Sequence, residues 1–159
     1  MTGENNLFRV TDTLYRSEQP LAADKTWLET YNIQTIVNLR SSGKRDQKEL
    51  GAMGIHLVHL PMRAWRISDE QVAQALQQIR QGQKKGSVLV HCYHGSDRTG
   101  LVIAMYRIIE QNWSIKAAQE EMKKGGYGFH PIWVNIDEFF TPERVNNIRT
   151  LLQKEYTGS

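Results

Sequence analysis

The stretch Val88-Leu89-Val90-His91-Cys92-Tyr93-His94-Gly95-Ser96-Asp97-Arg98-Thr99-Gly100 decides the fold. Val88, Leu89 and Val90 are three consecutive apolar β-formers and read as a strand covered on both faces. From Leu101 to Ile109 nearly every residue is apolar, which suits a helix buried on most sides. The loop between them has a thiol at its start, a glycine in its middle and an arginine at its end. A strand that runs through such a loop into a helix N-terminus is an anion site, because unpaired backbone N–H groups converge there and the helix dipole adds positive potential. Gly95 permits backbone conformations that a side chain would resist. Arg98 presents a planar fork that matches two oxygens of a phosphate.

The same surroundings suit a nucleophile. Cys92 would lie near the helix N-terminus and the guanidinium of Arg98, and such settings lower a cysteine pKa to roughly 3.5–7.5. A thiolate inside an oxyanion cradle attacks phosphorus without a separate base. The loop amides and Arg98 then hold the charge of an in-line transition state. Thr99 has a hydroxyl suited to bonding the sulfur, and His91 is placed to brace the loop from behind. A single cysteine is more often a small buried hydrophobe than a nucleophile. The full set of residue types at fixed spacing, between strand and helix, outweighs that.

His91-Cys92-x5-Arg98-Thr99 resembles the signature of the cysteine-dependent protein tyrosine and dual-specificity phosphatases. The resemblance implies that Cys92 forms a phosphocysteine intermediate and that Arg98 clamps the phosphate. It also implies that Tyr93, His94, Gly95, Ser96, Asp97 and Arg98 bind the phosphate through backbone amides. It extends over nearly the whole chain and implies an α/β fold, with a mostly parallel central sheet of four or five strands flanked by helices. Tyr15-Arg16-Ser17-x-Gln19-Pro20 resembles a turn of the bacterial and fungal branch, in which Arg16 is expected on the surface. The chain is short beside a classical tyrosine phosphatase, so a shallow, dual-specificity-like site is expected.

A length of 159 residues suits a single domain over 1–159, and 40% hydrophobic with 23% charged residues is ordinary for a soluble globular chain. A net charge of +3 tolerates an anionic substrate, and no basic run is dense enough for a nucleic-acid or membrane patch. One cysteine excludes an intrachain disulfide and a Cys-rich zinc site. His91, Cys92 and His94 are too close in sequence to converge on one metal, so neither metal nor cofactor is expected. No stretch is long enough to span a membrane, and the first residues lack the pattern of a signal peptide. A cytoplasmic location is therefore expected, and a periplasmic one would require a leader removed from this sequence. A monomer is the default, since no long apolar stripe asks for a partner.

In chain order, residues 7–10 and 14–16 read as short strands around a turn at Thr11-Asp12-Thr13. Residues 24–31 read as a helix, 35–39 as a core strand and 45–53 as a polar helix closed by Gly54. Residues 55–60 read as a strand ended by Pro61. His56 and His59 have opposite parity and are expected to be structural. Ser68 and Gln71 form a capping box, so a helix begins there with Val72, Ala75, Leu76 and Ile79 facing inward. Ser114 caps a further helix, and Thr141 with Pro142 opens the last. The glycine- and aromatic-rich segment 127–133 is expected to be a packed turn.

The loop 62–68 is expected at the same sheet edge as the cysteine, since open α/β sheets place their sites beyond the strand C-termini. The leaving oxygen needs a proton donor opposite the thiolate. Asp69 matches the family's acid by position, with Glu70 as a weaker substitute. Asp97 is the rival, because phosphatases of the myotubularin kind carry a similar Asp-Arg-Thr. The expected function is phosphomonoester hydrolysis through Cys92, on phosphotyrosine and in part on phosphoserine or phosphothreonine. The expected partner is thus a phosphorylated protein or a small phosphate ester. The alternatives are an inositol phosphate or phosphoinositide phosphatase, an inactive phosphate-binding module and, remotely, sulfur transfer.

Overall fold

A computed structural model describes residues 7–93, 97–125, 130 and 134–158, the side chains of 155–158 excepted. The five strands are β1 (Phe8–Thr11), β2 (Leu14–Ser17), β3 (Ile33–Asn38), β4 (His56–His59) and β5 (Ser87–His91). They form one sheet in the order β1-β2-β5-β3-β4. β1 pairs antiparallel with β2 as a hairpin, and all other pairings are parallel. The expected sheet is therefore present with five strands. β5 lies at its centre, where every one of its residues is buried and Val88, Leu89 and Val90 supply the apolar side chains that two covered faces require.

Alternation along β5 sorts the helices. Val88 and Val90 point to the face covered by α3 (Asp69–Gln83), α4 (Asp97–Ile109), α5 (Ile115–Lys124) and α7 (Pro142–Gly158). Leu89 points to the smaller face, with Leu28 of α1 (Lys25–Thr30) and Leu50 of α2 (Lys44–Leu50). α6 (Val134–Asp137) is a single turn that puts Ile136 into the larger core. Leu101 through Met105 of α4 are all buried, as an apolar run on every side requires. Truncating one of these, such as Leu101→Ala, falls in the class that costs about 2–5 kcal/mol.

The caps read from the sequence are made. Ser68 Oγ accepts from the Gln71 N–H at 3.1 Å, and Gln71 Oε1 accepts from the Ser68 N–H at 3.0 Å. Ser114 Oγ accepts from Ala117 N–H and Thr141 Oγ1 from Arg144 N–H. The helix expected over 45–53 ends earlier, at Leu50 with Gly51 as its C-cap, and Gly54, at φ +74°, instead turns the chain into β4. Gly82 is required by space, since a Cβ there would stand 2.7 Å from Val88 Cγ2.

Arg16 corrects an expectation. It is one of the most deeply buried side chains of the protein, not a surface residue. The reason is topological: β2 is an inner strand, with Arg16 in register with Val90 of β5, so both of its faces are covered.

Candidate active site

The parallel strands β2, β5, β3 and β4 end at one edge, and the chain beyond them is stitched together there. The Leu39 N–H donates to the His91 carbonyl at 2.9 Å, and the Met62 N–H donates to the Leu39 carbonyl at 3.0 Å. Cys92 follows β5 directly at this edge and is buried. α4 then begins at Asp97, so the cysteine and the arginine bound a short connection from strand to helix N-terminus. His94, Gly95 and Ser96, expected to hold phosphate, lie outside the described residues. Arg98 projects from the first turn of α4, and its Nη1 donates to the Met62 carbonyl at 2.9 Å. The loop 62–68 is thereby joined to the cysteine loop, as the sheet-edge rule required.

The entry to the loop is supported from beneath. His91 is fully buried; its Nε2 lies 3.0 Å from Asp46 Oδ2 and its Nδ1 lies 3.3 Å from the Cys92 carbonyl. Each ring nitrogen thus lies against an oxygen, which fixes the orientation of the ring. Asp46 also accepts from Gln19 Nε2 at 2.7 Å, and Gln19 Oε1 accepts from Arg40 Nη1 at 2.7 Å. The Arg40 guanidinium lies 4.8 Å from the centre of the Tyr93 ring. Burial pushes the Asp46 carboxyl up, but His91, Gln19 and Arg40 outweigh it and hold its pKa below the usual carboxylate range. The chain therefore runs from a buried pair to Tyr93, which is exposed beside the cysteine.

Thr99 is fully buried, and its Oγ1 has no hydrogen-bond partner among the described residues. Its position in the first turn of α4 leaves it a donor to offer inside the loop. Arg16 lies beneath the same turn: its Nη2 would stand 3.7 Å from a Cβ at Gly100. A buried guanidinium thus underlies the helix start and adds to its positive end.

The two candidate acids have different neighbours. Asp69, at the start of α3, receives Arg144 Nε at 2.7 Å on Oδ1 and Asn147 Nδ2 at 2.6 Å on Oδ2, both from α7. Asp97 receives the His130 backbone N–H at 2.8 Å on Oδ1, and His130 Nδ1 lies 2.7 Å from Oδ2. Of the glycine- and aromatic-rich segment, His130 is the residue described, and the rest of 127–133 lies outside the described residues. Among the described residues no cluster of His, Cys, Asp and Glu is arranged to hold a metal ion. No helix there is long and apolar enough to cross a membrane.

Asp46, Gln19 and Arg40 carried no local signal, because they meet His91 only through the order of strands in the sheet. The tie between His130 and Asp97 was equally invisible, spanning 33 positions of the chain.

A family model described as "DSP-PTPase phosphatase fused to NAD+ Kinase" matches residues 4–132. Dual specificity protein phosphatase TpbA of Pseudomonas aeruginosa (strain UCBPP-PA14) is 42% identical over 123 residues, which is 77% of this chain. The match takes in 56% of that relative, so the chain spans little more than half its length. The crystal structure of P. aeruginosa TpbA superposes with a TM-score of 0.86 at 34% identity, covering 96% of this chain and 94% of that one. A cysteine-to-serine form of TpbA in complex with pTyr superposes with a TM-score of 0.86 at 33% identity, covering 96% and 93%.

Proposed function

Because the chain belongs to the cysteine-dependent dual-specificity and tyrosine phosphatase family, we propose that it hydrolyses phosphomonoesters through a phosphocysteine on Cys92, with phosphotyrosine as its principal substrate. The observation that carries this reading is the placement of Cys92 and Arg98. The thiol sits buried at the end of the central strand, and the guanidinium rises from the helix turn that follows. The binding of pTyr by TpbA, a relative of known structure, supports the choice of substrate. Phosphoserine and phosphothreonine are secondary substrates of the same shallow site.

Cys92 Sγ attacks phosphorus as the thiolate. The S–P bond forms as the bond to the leaving oxygen breaks, with residues 93–98 and Arg98 holding the three equatorial oxygens. A donor protonates the leaving oxygen. Water then attacks the phosphocysteine, giving up a proton to the same group, and phosphate and thiolate are restored. Thr99 Oγ1 donates to the departing sulfur in this second step. His91, held by Asp46, fixes the strand end from which the nucleophile projects.

For the proton donor we place the Asp97–His130 pair ahead of Asp69. Both oxygens of Asp69 are occupied by Arg144 and Asn147, contacts that tie α3 to α7 and leave neither oxygen turned to a substrate. Asp97 directly precedes Arg98, and His130 brings to it an imidazole whose other nitrogen is free of that bond. The imidazolium delivers its proton and the carboxylate orients the ring.

The test of the whole reading is turnover of an aryl phosphate and a phosphotyrosine peptide. Wild type should turn over both, and Cys92→Ser should abolish turnover while still binding the peptide. Trapping a phosphorylated protein in acid-quenched turnover should label Cys92 alone. Turnover that survives Cys92→Ser, or label on another residue, would overturn it.

A further inference from the structure

Residues 63–66 form a tight turn at the sheet edge. The Arg66 N–H donates to the Arg63 carbonyl at 2.9 Å, and the two arginines face each other as an antiparallel pair. The turn is held at both ends. Met62, directly before it, is buried and gives its carbonyl to Arg98. Asn135 Nδ2 donates to the Ala64 carbonyl at 2.8 Å. Trp65 stands at the tip and is 62% exposed.

Like charges placed directly opposite each other destabilise an antiparallel pair. Elsewhere in the chain arginines are partnered: Arg80 with Glu110, Arg107 with Glu121, Arg144 with Asp69. The Arg63 and Arg66 side chains have no such partner among the described residues. They line a cleft of about 730 Å³ with Ser41, Pro61, Ile67, Ser68 and Gln71, and among the described residues no carboxylate lines it. Two guanidinium groups without a carboxylate partner therefore line this cleft, and Arg63 is one residue from the carbonyl that holds Arg98.

We propose that this cleft is a second anion subsite, at which Arg63 and Arg66 bind a further anionic group of the substrate while Cys92 works on the scissile phosphate. The proposal rests on the phosphomonoesterase reading above and adds what the rest of the substrate must carry. The chemistry is that of a carboxylate or phosphate presented beside the reacting group. An acidic side chain flanking a phosphotyrosine supplies it, and so does a second phosphate on a polyphosphorylated ring. Guanidinium forks suit either.

The experiment compares phosphotyrosine peptides flanked by aspartates with the same peptides flanked by asparagines, in wild type and in R63Q/R66Q. Inositol hexakisphosphate serves as the polyphosphate arm. In wild type, kcat/KM should favour the acidic peptide by about tenfold, corresponding to about 1.4 kcal/mol. That preference should shrink as salt rises, since exposed charges are screened. In R63Q/R66Q the ratio should fall towards one, through KM. If inositol hexakisphosphate competes with the aryl phosphate in wild type and loses its hold in R63Q/R66Q, while the peptides are treated alike by both, the second anion is a phosphate. Equal losses on all substrates, or a preference that persists in the double variant, would overturn the subsite. Binding of the labelled acidic peptide to Cys92→Ser, with and without R63Q/R66Q, reads the subsite independently of turnover. A chain that binds through the cleft but turns over nothing would refute the hydrolase reading and leave the subsite standing.

Discussion

The loop after β5 begins and ends on the same chemical pair, a histidine against an aspartate, in opposite surroundings. At the entry, His91 and Asp46 lie 3.0 Å apart with side chains 0% and 4% exposed. At the exit, His130 and Asp97 lie 2.7 Å apart with side chains 54% and 14% exposed. Burial decides what each pair can do. A proton held at the entry has no route to solvent or substrate, so that pair serves as a fixed support. The pair at the exit keeps one face open and can exchange a proton. Identity and distance alone would have assigned both the same role.

The largest effect should come from breaking the buried pair. Asp46→Asn removes the buried carboxylate that His91 and Gln19 bond in a dry site, a class of change that costs about 1–3 kcal/mol. Urea denaturation should show this loss together with a fall in turnover. A change below about 0.5 kcal/mol, the scale of an ordinary surface substitution, would demote the entry pair to the exit pair's rank.

The same pair predicts the acid limb of stability. Asp46 has its native pKa held below its unfolded value. The unfolded chain therefore takes up that proton first as pH falls, and Asp46's contribution is complete above the unfolded pKa of about 3.9. It is lost as pH falls through the lower native value. Urea midpoints followed downward from about pH 5 should drop more steeply in wild type than in Asp46→Asn. Parallel profiles would remove Asp46 from the account.

The exit pair should behave in the reverse manner. His130→Asn and Asp97→Asn should each leave stability within about 1 kcal/mol, as exposed pairs do. They should lower turnover of an alkyl phosphate by about a hundredfold, a typical share for a general acid. An aryl phosphate, whose leaving oxygen needs little help, should lose far less. Equal losses on both esters would make the pair a brace like its partner at the entry.

The smallest effect is expected at Asp69. Asp69→Asn weakens the ties to Arg144 and Asn147, which should cost about 1 kcal/mol and leave the leaving-group dependence as it was. A selective loss on alkyl esters at this position would return the acid to α3.

The sequence made the strand, the loop, the helix and their order legible, because each is written locally. Val88 to Val90 declare a doubly covered strand, and Ser68 with Gln71 declares a helix start. Where a role depends on a partner far along the chain, local pattern fails. Nothing near Arg16 says that its strand lies second from the sheet edge, so it read as a surface residue. Nothing near Asp69 announces Arg144, which is 75 positions away. Position along the chain offered Asp69 as the acid, and only the fold shows which side chains donate to it and to Asp97.

The placement of β5 between β2 and β3 has a consequence for the order of assembly. Arg16, Asp46 and the Leu39 amide, which hold the strand end from which the thiol projects, are all synthesised before it. His130 and the α7 residues that engage Asp69 are synthesised after it. A growing polypeptide thus has the neighbours of its central strand in hand before the cysteine emerges, whereas the contacts that occupy Asp97 and Asp69 come only with the C-terminal segments.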